Sequence, residues 1–585
     1  MSVRRKCRRR WPPGLWLLLW LIPVSLSAAV TVTVVPNQDR RPINPLIYGV
    51  SAADTARMTV VPYPLNRWGG NSVTRYNWKV DVHNTASDWF FMNVPDGNPN
   101  LNNLPNGTSA DAFVQQTLAR GSQPLLTVPL IGYTPKYLGI TAANARGKRW
   151  GFGVAKYGAQ NENECTRACQ FDPNCMAWCK TDAGNGSCSS GTNCTNGQIT
   201  GNDTADTSDP IDATFVTDWM THIAGVLGGS GRLSFYALDN EPMLWNSTHR
   251  DVHPAPLTYD ELWSRTVTYA AAIKARDATA KTFGPVEWGW CAYFTSAADA
   301  AVGPSCVTGA DRQAHGGKPL LQWYLDQVCA YQQTNGVRLV DYLDIHYYPQ
   351  GGGIAFGGDG AAAARMRSLK ELYDRNWISE SWIGQSGEPP MYVIPRMKEW
   401  IAGHCPGVGL AITEYNFGDA GPSSALAQAE SLALFGREGV DAAARWVAPG
   451  ADTLVEDAFK LYLNYDGVGA KVLGDSVRAN TSTTPDTLGA YAVRGDGKLW
   501  VLLFNHTNAA QTVNVAFGMP VTGPAALWRF DSTHRLGSGG SATVTSGAIS
   551  VTVGNYGAML AAVQIPPSLI FADGFESGGA GAWAP

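Results

Sequence analysis

Two glutamates stand out because each closes an apolar run with the texture of a buried strand. Glu241 ends Leu233-Ser-Phe-Tyr-Ala-Leu-Asp-Asn-Glu-Pro242, and Glu414 lies in Gly409-Leu-Ala-Ile-Thr-Glu-Tyr-Asn416. Carboxyl groups brought by separate strands into one cleft can cut a glycosidic bond: one protonates the leaving oxygen while the other attacks or activates water. Other patterns are weaker. His249-x3-His253 has the spacing of a helical metal pair, but Pro254 and Pro256 follow it and no HExxH glutamate accompanies it, so a structured loop is the better reading. No GxSxG elbow and no GxxxxGK[ST] phosphate loop is present. Gly351-Gly-Gly-Ile-Ala-Phe-Gly-Gly358 carries no phosphate-loop lysine and suggests a mobile flap at a cleft edge.

Positioning two such groups requires a scaffold. Apolar runs bounded by turn signals predict eight strands near 46–50, 65–68, 124–129, 233–238, 282–286, 342–346, 410–413 and 442–447. Helix-like patterns fall between several of them, at 110–120, 215–227, 259–276, 320–333 and 424–436. Strand alternating with helix argues for a parallel sheet, and eight units argue for a closed α/β barrel, a (β/α)8 TIM barrel over residues 46–466. In such a barrel the active site forms at the carboxyl ends of the strands, which is where Glu241 and Glu414 fall. Beyond a helix-like 453–465 the texture changes to seven short strands between 490 and 564, predicting a C-terminal antiparallel β-sandwich over 467–566. The alternating segment 30–45, beginning Val30 to Val35, is placed to join it, and the Gly- and Ala-rich 567–585 is expected to be a flexible tail.

Composition narrows the partners. A net charge of −4 over 585 residues gives no reason to expect a nucleic acid, and the only dense basic run is Arg4 to Arg10. That run precedes an apolar core, Trp16 to Val24, and small residues to Ala29, so 1–29 reads as an export signal. An uncleaved anchor is the alternative, but the apolar stretch is shorter than the ~20 residues a span requires. The expected product is a secreted monomer with no membrane association in its mature form. Apart from Cys7, ten cysteines remain, an even number suited to an oxidising compartment. Six crowd into 165–194 with no histidine among them, which favours a disulfide-stapled insertion over a zinc knuckle, with pairing undetermined. No metal site is assigned and no cofactor is required, although surface carboxylates leave a structural calcium open.

The motifs then become specific. Asp239-Asn-Glu-Pro-Met-Leu-Trp-Asn-Ser-Thr-His-Arg-Asp-Val-His253 and its continuation to Leu262 resemble the acid/base segment of glycoside hydrolase family 44, whose members are endoglucanases and xyloglucanases. Arg67-Trp-Gly-Gly-Asn71, Tyr76-Asn-Trp78, Ser87-Asp-Trp89, Thr127 to Gly132, Gly284 to Trp290, Asp344-Ile-His-Tyr-Tyr-Pro349, Glu380-Ser-Trp-Ile383 and Thr413-Glu-Tyr-Asn416 extend the resemblance along the barrel in order. The 165–194 insertion and the Gly-rich 351–360 loop depart from it. The resemblance implies a retaining double displacement with Glu241 as acid/base, Glu414 as nucleophile and carboxyl groups about 5–5.5 Å apart. Arg67, His346 and Tyr347 would orient and ionise the nucleophile, and Asn240 would meet the sugar 2-hydroxyl. A β-glucan partner has apolar faces and polar edges, so Trp68, Asn71, Trp245, Trp288, Trp290, Trp382 and Trp446 are candidates for its groove. The resemblance points most firmly to Trp382 and Trp446 as subsite tryptophans. Mannan or xylan is the alternative substrate, and a non-catalytic polysaccharide-binding protein is the alternative class.

Overall fold

The computed structural model describes residues 29–98, 100–136, 149–229, 233–303 and 306–566. The expected signal and tail, apart from Ala29, lie outside the described residues.

Eight parallel strands close into a barrel: β2 (Gly49–Ser51), β3 (Leu65–Trp68), β4 (Gln123–Val128), β5 (Phe235–Leu238), β6 (Lys281–Glu287), β7 (Tyr342–Tyr347), β8 (Gly409–Tyr415) and β9 (Ala442–Arg445). Neighbours follow chain order, and β9 returns to β2 through Ala444↔Gly49 and Arg445↔Val50. The strands are buried on both sides, so they carry apolar runs rather than clean alternation. Leu65, Leu125, Ala237, Phe283, Val286, Ala411, Ala442 and Ala444 fill the barrel interior. The helices α1 (Ser109–Ala119), α2 (Ala213–Val226), α3 (Tyr259–Arg276), α4 (Leu320–Asn335), α5 (Ala362–Ser368), α6 (Val393–His404), α7 (Pro422–Glu438) and α8 (Leu454–Leu463) pack around it. Their starts are written in the sequence. Thr258 caps α3 by accepting from Glu261 N at 3.2 Å, and Thr108 and Asp111 form a reciprocal capping box on α1. Among the described residues no helix is long and apolar enough to cross a membrane.

The second layer is a mostly antiparallel sandwich of β1 (Val30–Val35), β10 (Asp475–Thr481), β11 (Leu488–Gly495), β12 (Lys498–Asn505), β13 (Gln511–Ala516), β14 (Thr522–Phe530), β15 (Gly537–Ala542), β16 (Ala548–Val553) and β17 (Gly557–Gln564). The N-terminal β1 pairs antiparallel with β10 and parallel with β13, so the chain's start is woven into the domain formed by its end. Strand β12 shows why the two domains are one unit. Leu499, Val501 and Leu503 face the sandwich core, while the alternate Trp500, Leu502 and Phe504 join the barrel's core. Against that face lies α7, buried on nearly every side, whose Glu430 accepts from Tyr491 Oη at 2.9 Å and pairs with His506.

Two sandwich strands differ from expectation. The sequence predicts a strand at 542–545, but strand β15, Gly-Ser-Gly-Gly-Ser-Ala, runs over Gly537–Ala542, because an edge strand with exposed faces needs no apolar pattern. Strand β10 is likewise too polar to be recognised, and only Ser476 and Val477 in it are buried.

Replacing Trp500 with Ala empties a fully buried site at this shared face. It should cost roughly 3–5 kcal/mol of stability, read as a lower midpoint in guanidinium unfolding with barrel and sandwich still melting together.

Candidate active site

The Arg67-Trp-Gly-Gly-Asn71 motif is explained by crowding at the top of β3. Arg67 is fully buried, and a Cβ on Gly69 would lie 2.3 Å from its guanidinium carbon. Gly70 adopts a φ of 94°, and a Cβ there would meet the Trp446 ring at 2.4 Å. Both glycines therefore make room for side chains that line the site. Arg67 spreads its fork between two elements: Nη1 donates to Glu414 Oε2 at 2.7 Å on β8, and Nη2 donates to Asn240 Oδ1 at 2.7 Å after β5. This fixes the Asn240 amide, whose Nδ2 donates to Asn71 Oδ1 at 3.2 Å. Asn71 Nδ2 in turn donates to the Asp88 carboxylate.

Glu241 is aimed by a strained turn. Asp239 and Glu241 both have left-handed backbones, with φ of 72° and 46°. The buried Asp239 carboxylate holds the turn by accepting from Leu130 N, Ile131 N and Asn240 N at 2.6, 3.0 and 2.7 Å. Burial pushes Asp239 up to about 6 even against those three donors. Glu241 N donates to Val286 O at 3.0 Å, tying the turn to β6.

The two glutamates meet at His346 on β7. His346 Nδ1 lies 2.8 Å from Glu241 Oε1 and 3.6 Å from Glu414 Oε2, and one oxygen of each carboxyl falls within 4.8 Å of the other. Their environments push them apart. Burial raises Glu241 above the ordinary carboxyl range and the charge of Glu414 adds to this, with the His346 contact opposing. Burial acts on Glu414 in the same sense, but His346, Arg67 and the Tyr348 hydroxyl together hold it below that range. The surroundings thus favour the proton on Glu241 and the charge on Glu414 across one short gap.

Tyr348 occupies the place the sequence analysis gives to Tyr347. Tyr348 Oη donates to Glu414 Oε1 at 2.7 Å, and burial, with the charge of Glu414, drives its hydroxyl far above its ordinary range, so it stays a donor. Tyr347 is buried and donates instead to Glu371 Oε2 at 2.7 Å, on the side away from the cleft. Strand alternation is the reason: if His346 points inward, 347 points outward and 348 inward. The sequence held that signal.

A matched family now accounts for this geometry. A solved structure of CelM2, a bifunctional glucanase-xylanase protein from a metagenome library, is 35% identical over 92% of this chain and 99% of that chain, with a TM-score of 0.82. A family model described as Glycoside hydrolase family 44 matches residues 82–351. The chain belongs to glycoside hydrolase family 44. A xyloglucanase of that family from Paenibacillus polymyxa, solved with xyloglucan, is 27% identical over the same shares with a TM-score of 0.69. Endoglucanase A from Paenibacillus lautus is 29% identical over 535 residues, 88% of this chain and 69% of that protein.

Within this family 44 hydrolase the candidate tryptophans divide. Trp382 is 49% exposed, and its Nε1 donates to Gln350 Oε1 at 3.2 Å, beside Tyr348. Trp446 lies over Gly70 at the mouth. Trp288 borders a cleft of about 230 Å³ with Met243, Leu244 and Asn246, immediately past Glu241. Trp68 packs on Tyr76 and Phe113, with centroids 5.6 and 5.2 Å away, and Trp245 and Trp290 are buried. Trp245 and Trp290 support the walls and offer no exposed platform, whereas Trp68 stays half-buried. Glu287, to which the motifs assign no role, ends β6 fully buried, its carboxyl facing the backbone of Met243 and Trp288. Burial pushes its carboxyl well above the ordinary range.

Among the described residues, two groups of side chains come close enough to chelate a metal. One is Glu241, His346 and Glu414, where Arg67 already supplies a cation 2.7 Å from Glu414. The other is Cys169, Cys175 and Cys179, whose sulfurs are spent in the Cys165–Cys179 and Cys169–Cys175 disulfides. Cys188–Cys194 completes the staples of the insertion, and Cys291–Cys306 lies behind the loop after β6. His249 and His253 share no ligand geometry: His253 Nε2 is 2.9 Å from Glu261 Oε1, and His249 is buried without a partner.

Arg67→Met should leave Glu414 buried and ionised without its nearest cation, costing roughly 3–5 kcal/mol at neutral pH by denaturant unfolding. The native Glu414 pKa is lowered, so its ion-pair stabilisation is present above the unfolded carboxyl pKa and is lost as pH falls through the native one. The gap between variant and wild type should therefore shrink on acidification; a pH-independent gap would count against the pairing.

Proposed function

We propose that the chain is an exported, retaining, endo-acting β-1,4-glucan hydrolase, with unsubstituted β-glucan, xyloglucan or both as substrate. The observation that carries the mechanism is the short gap between unlike carboxyls: one oxygen from each within 4.8 Å, one group raised and the other lowered. An inverting enzyme holds its carboxyl groups roughly 6.5–9.5 Å apart to admit water, whereas about 5–5.5 Å suits covalent capture.

In the first step Glu414 Oε attacks the anomeric carbon as Glu241 gives its proton to the leaving glycosidic oxygen, forming a glycosyl ester and releasing the chain beyond. Glu241, now a carboxylate, takes a proton from water, which opens the ester at the anomeric carbon. Two inversions return the β configuration. Arg67 and Tyr348 hold Glu414 ionised and oriented through the bonds described. Asn240, fixed by Arg67 and Asn71, presents its amide toward the 2-hydroxyl, where hydrogen bonds tighten in the transition state. The two carboxyls supply both acid and nucleophile, so the reading calls for no metal or cofactor.

The substrate class rests on the activities named for the relatives, endoglucanase, xyloglucanase and glucanase-xylanase. Export is supported by the basic and apolar start of the chain and by four disulfides, which persist in oxidising compartments.

Glu241→Gln and Glu414→Gln should each cut turnover on carboxymethylcellulose and xyloglucan by roughly three orders of magnitude or more, with folding intact by circular dichroism. Azide should rescue a Glu241→Ala variant by replacing water, giving a β-glycosyl azide. Appearance of the α-anomer first, followed by NMR on a cello-oligosaccharide, would overturn the retaining assignment.

A further inference from the structure

The loop 351–360 is built around one buried arginine. Arg365 on α5 is fully buried, and its Nε donates to Ile354 O at 2.9 Å. Its Nη2 faces the carbonyls of Gly353, Gly357 and Gly358 at 2.6, 2.9 and 2.8 Å, and its Nη1 donates to Ser423 Oγ. Asp359 closes the loop by accepting from Ser423 N at 3.0 Å. A Cβ at Gly357 would stand 2.5 Å from Gly353 O, so the glycine permits the tight return. The segment the sequence suggests is a mobile flap is thus pinned into a single shape. Burying a guanidinium is expensive, and here it is spent on the backbone of a short surface loop.

What that loop presents is Phe356. Its ring lies 5.1 Å from the Tyr348 ring with planes 32° apart, and it remains 58% exposed. Tyr348 holds Glu414 through its hydroxyl, so Phe356 stands one ring away from that carboxylate's anchor. Gln350 continues the strip: its Nε2 donates to Tyr348 O at 2.9 Å, and its Oε1 accepts from Trp382. Phe356 and Tyr348 therefore form an aromatic pair on the Glu414 side, and Gln350, a polar residue able to meet hydroxyls, links that pair to the half-exposed Trp382.

We propose that Phe356 is a sugar-binding and specificity-determining residue: with Tyr348 and Trp382 it forms a subsite on which a pyranose of a β-linked glucan rests its apolar C–H face. The Arg365 cage preorganises this subsite, so the ordering entropy of the loop is not lost at each binding event. The inference rests on the hydrolase reading above and adds a residue to its substrate path.

The test uses the full chain with Phe356→Ala and Phe356→Tyr, assayed on cellohexaose and xyloglucan heptasaccharide dimers, with binding to the Glu414→Gln background followed by calorimetry. Because Phe356 is exposed, neither substitution threatens the fold. Phe356→Ala should raise KM and Kd for cellohexaose about tenfold, as the loss of one aromatic contact implies. Turnover at saturation should stay within about twofold, and Phe356→Tyr should restore affinity. If the wild type hydrolyses cellohexaose but Phe356→Ala keeps its KM, or Phe356→Tyr fails to restore it, the subsite is refuted while the hydrolase reading stands. A wild type that neither hydrolyses nor binds any β-glucan refutes both.

Discussion

The structure depends on a single buried cation between two elements that are far apart in the chain. Arg67 reaches Glu414 on β8 and Asn240 after β5, and His346 lies between the two glutamates. Two carboxylates so close repel each other by about 4 kcal/mol at an effective dielectric of ~20, so an unassisted pair would share a proton. Arg67, His346 and the Tyr348 donor favour the charge on Glu414, while burial favours the proton on Glu241. Gly69 and Gly70 belong to the same device, since any side chain there would push the guanidinium or Trp446 out of place.

That arrangement needs rigid strand ends, and the sandwich contributes to them indirectly. Strand β12 is apolar on both faces because one face builds the sandwich and the other covers α7, the helix that follows Glu414's strand. Strand β1 is hydrogen-bonded to β10 and β13, so in sequence the barrel is inserted between two parts of one sandwich. Arg535, bonded to Asp457 of α8, adds a polar clamp across the same boundary.

The cysteine-rich insertion solves a different problem. Too small to bury a core of its own, it is shaped by three disulfides. It is fixed to the barrel's rim through Glu164, which accepts from Trp89 Nε1 and from Lys180 N at 2.8 Å each. Trp89 adjoins Asp88, the partner of Asn71, so the insertion buttresses the same polar chain that ends at Asn240.

How much of this was legible in the sequence follows from the range of each interaction. The eight barrel strands, the long helices and their caps, and the two glutamates at strand ends depend on local periodicity and on residues a few positions apart, which the chain states directly. Arg67, Asn240 and His346 were identifiable as members of motifs, though their mutual distances were not. Tyr348 lay within reach of a period-two argument and was missed for its neighbour. Strand β15 was hidden because glycine and serine at an edge carry no pattern. The division of the tryptophans, the buried Glu287 beside Glu241 and the Arg365 cage under Phe356 were decided only by tertiary structure. Whether an aromatic ring is wall or platform, and whether a carboxyl keeps its proton, depends on which distant side chains remove its water, and that is settled only when the chain has folded.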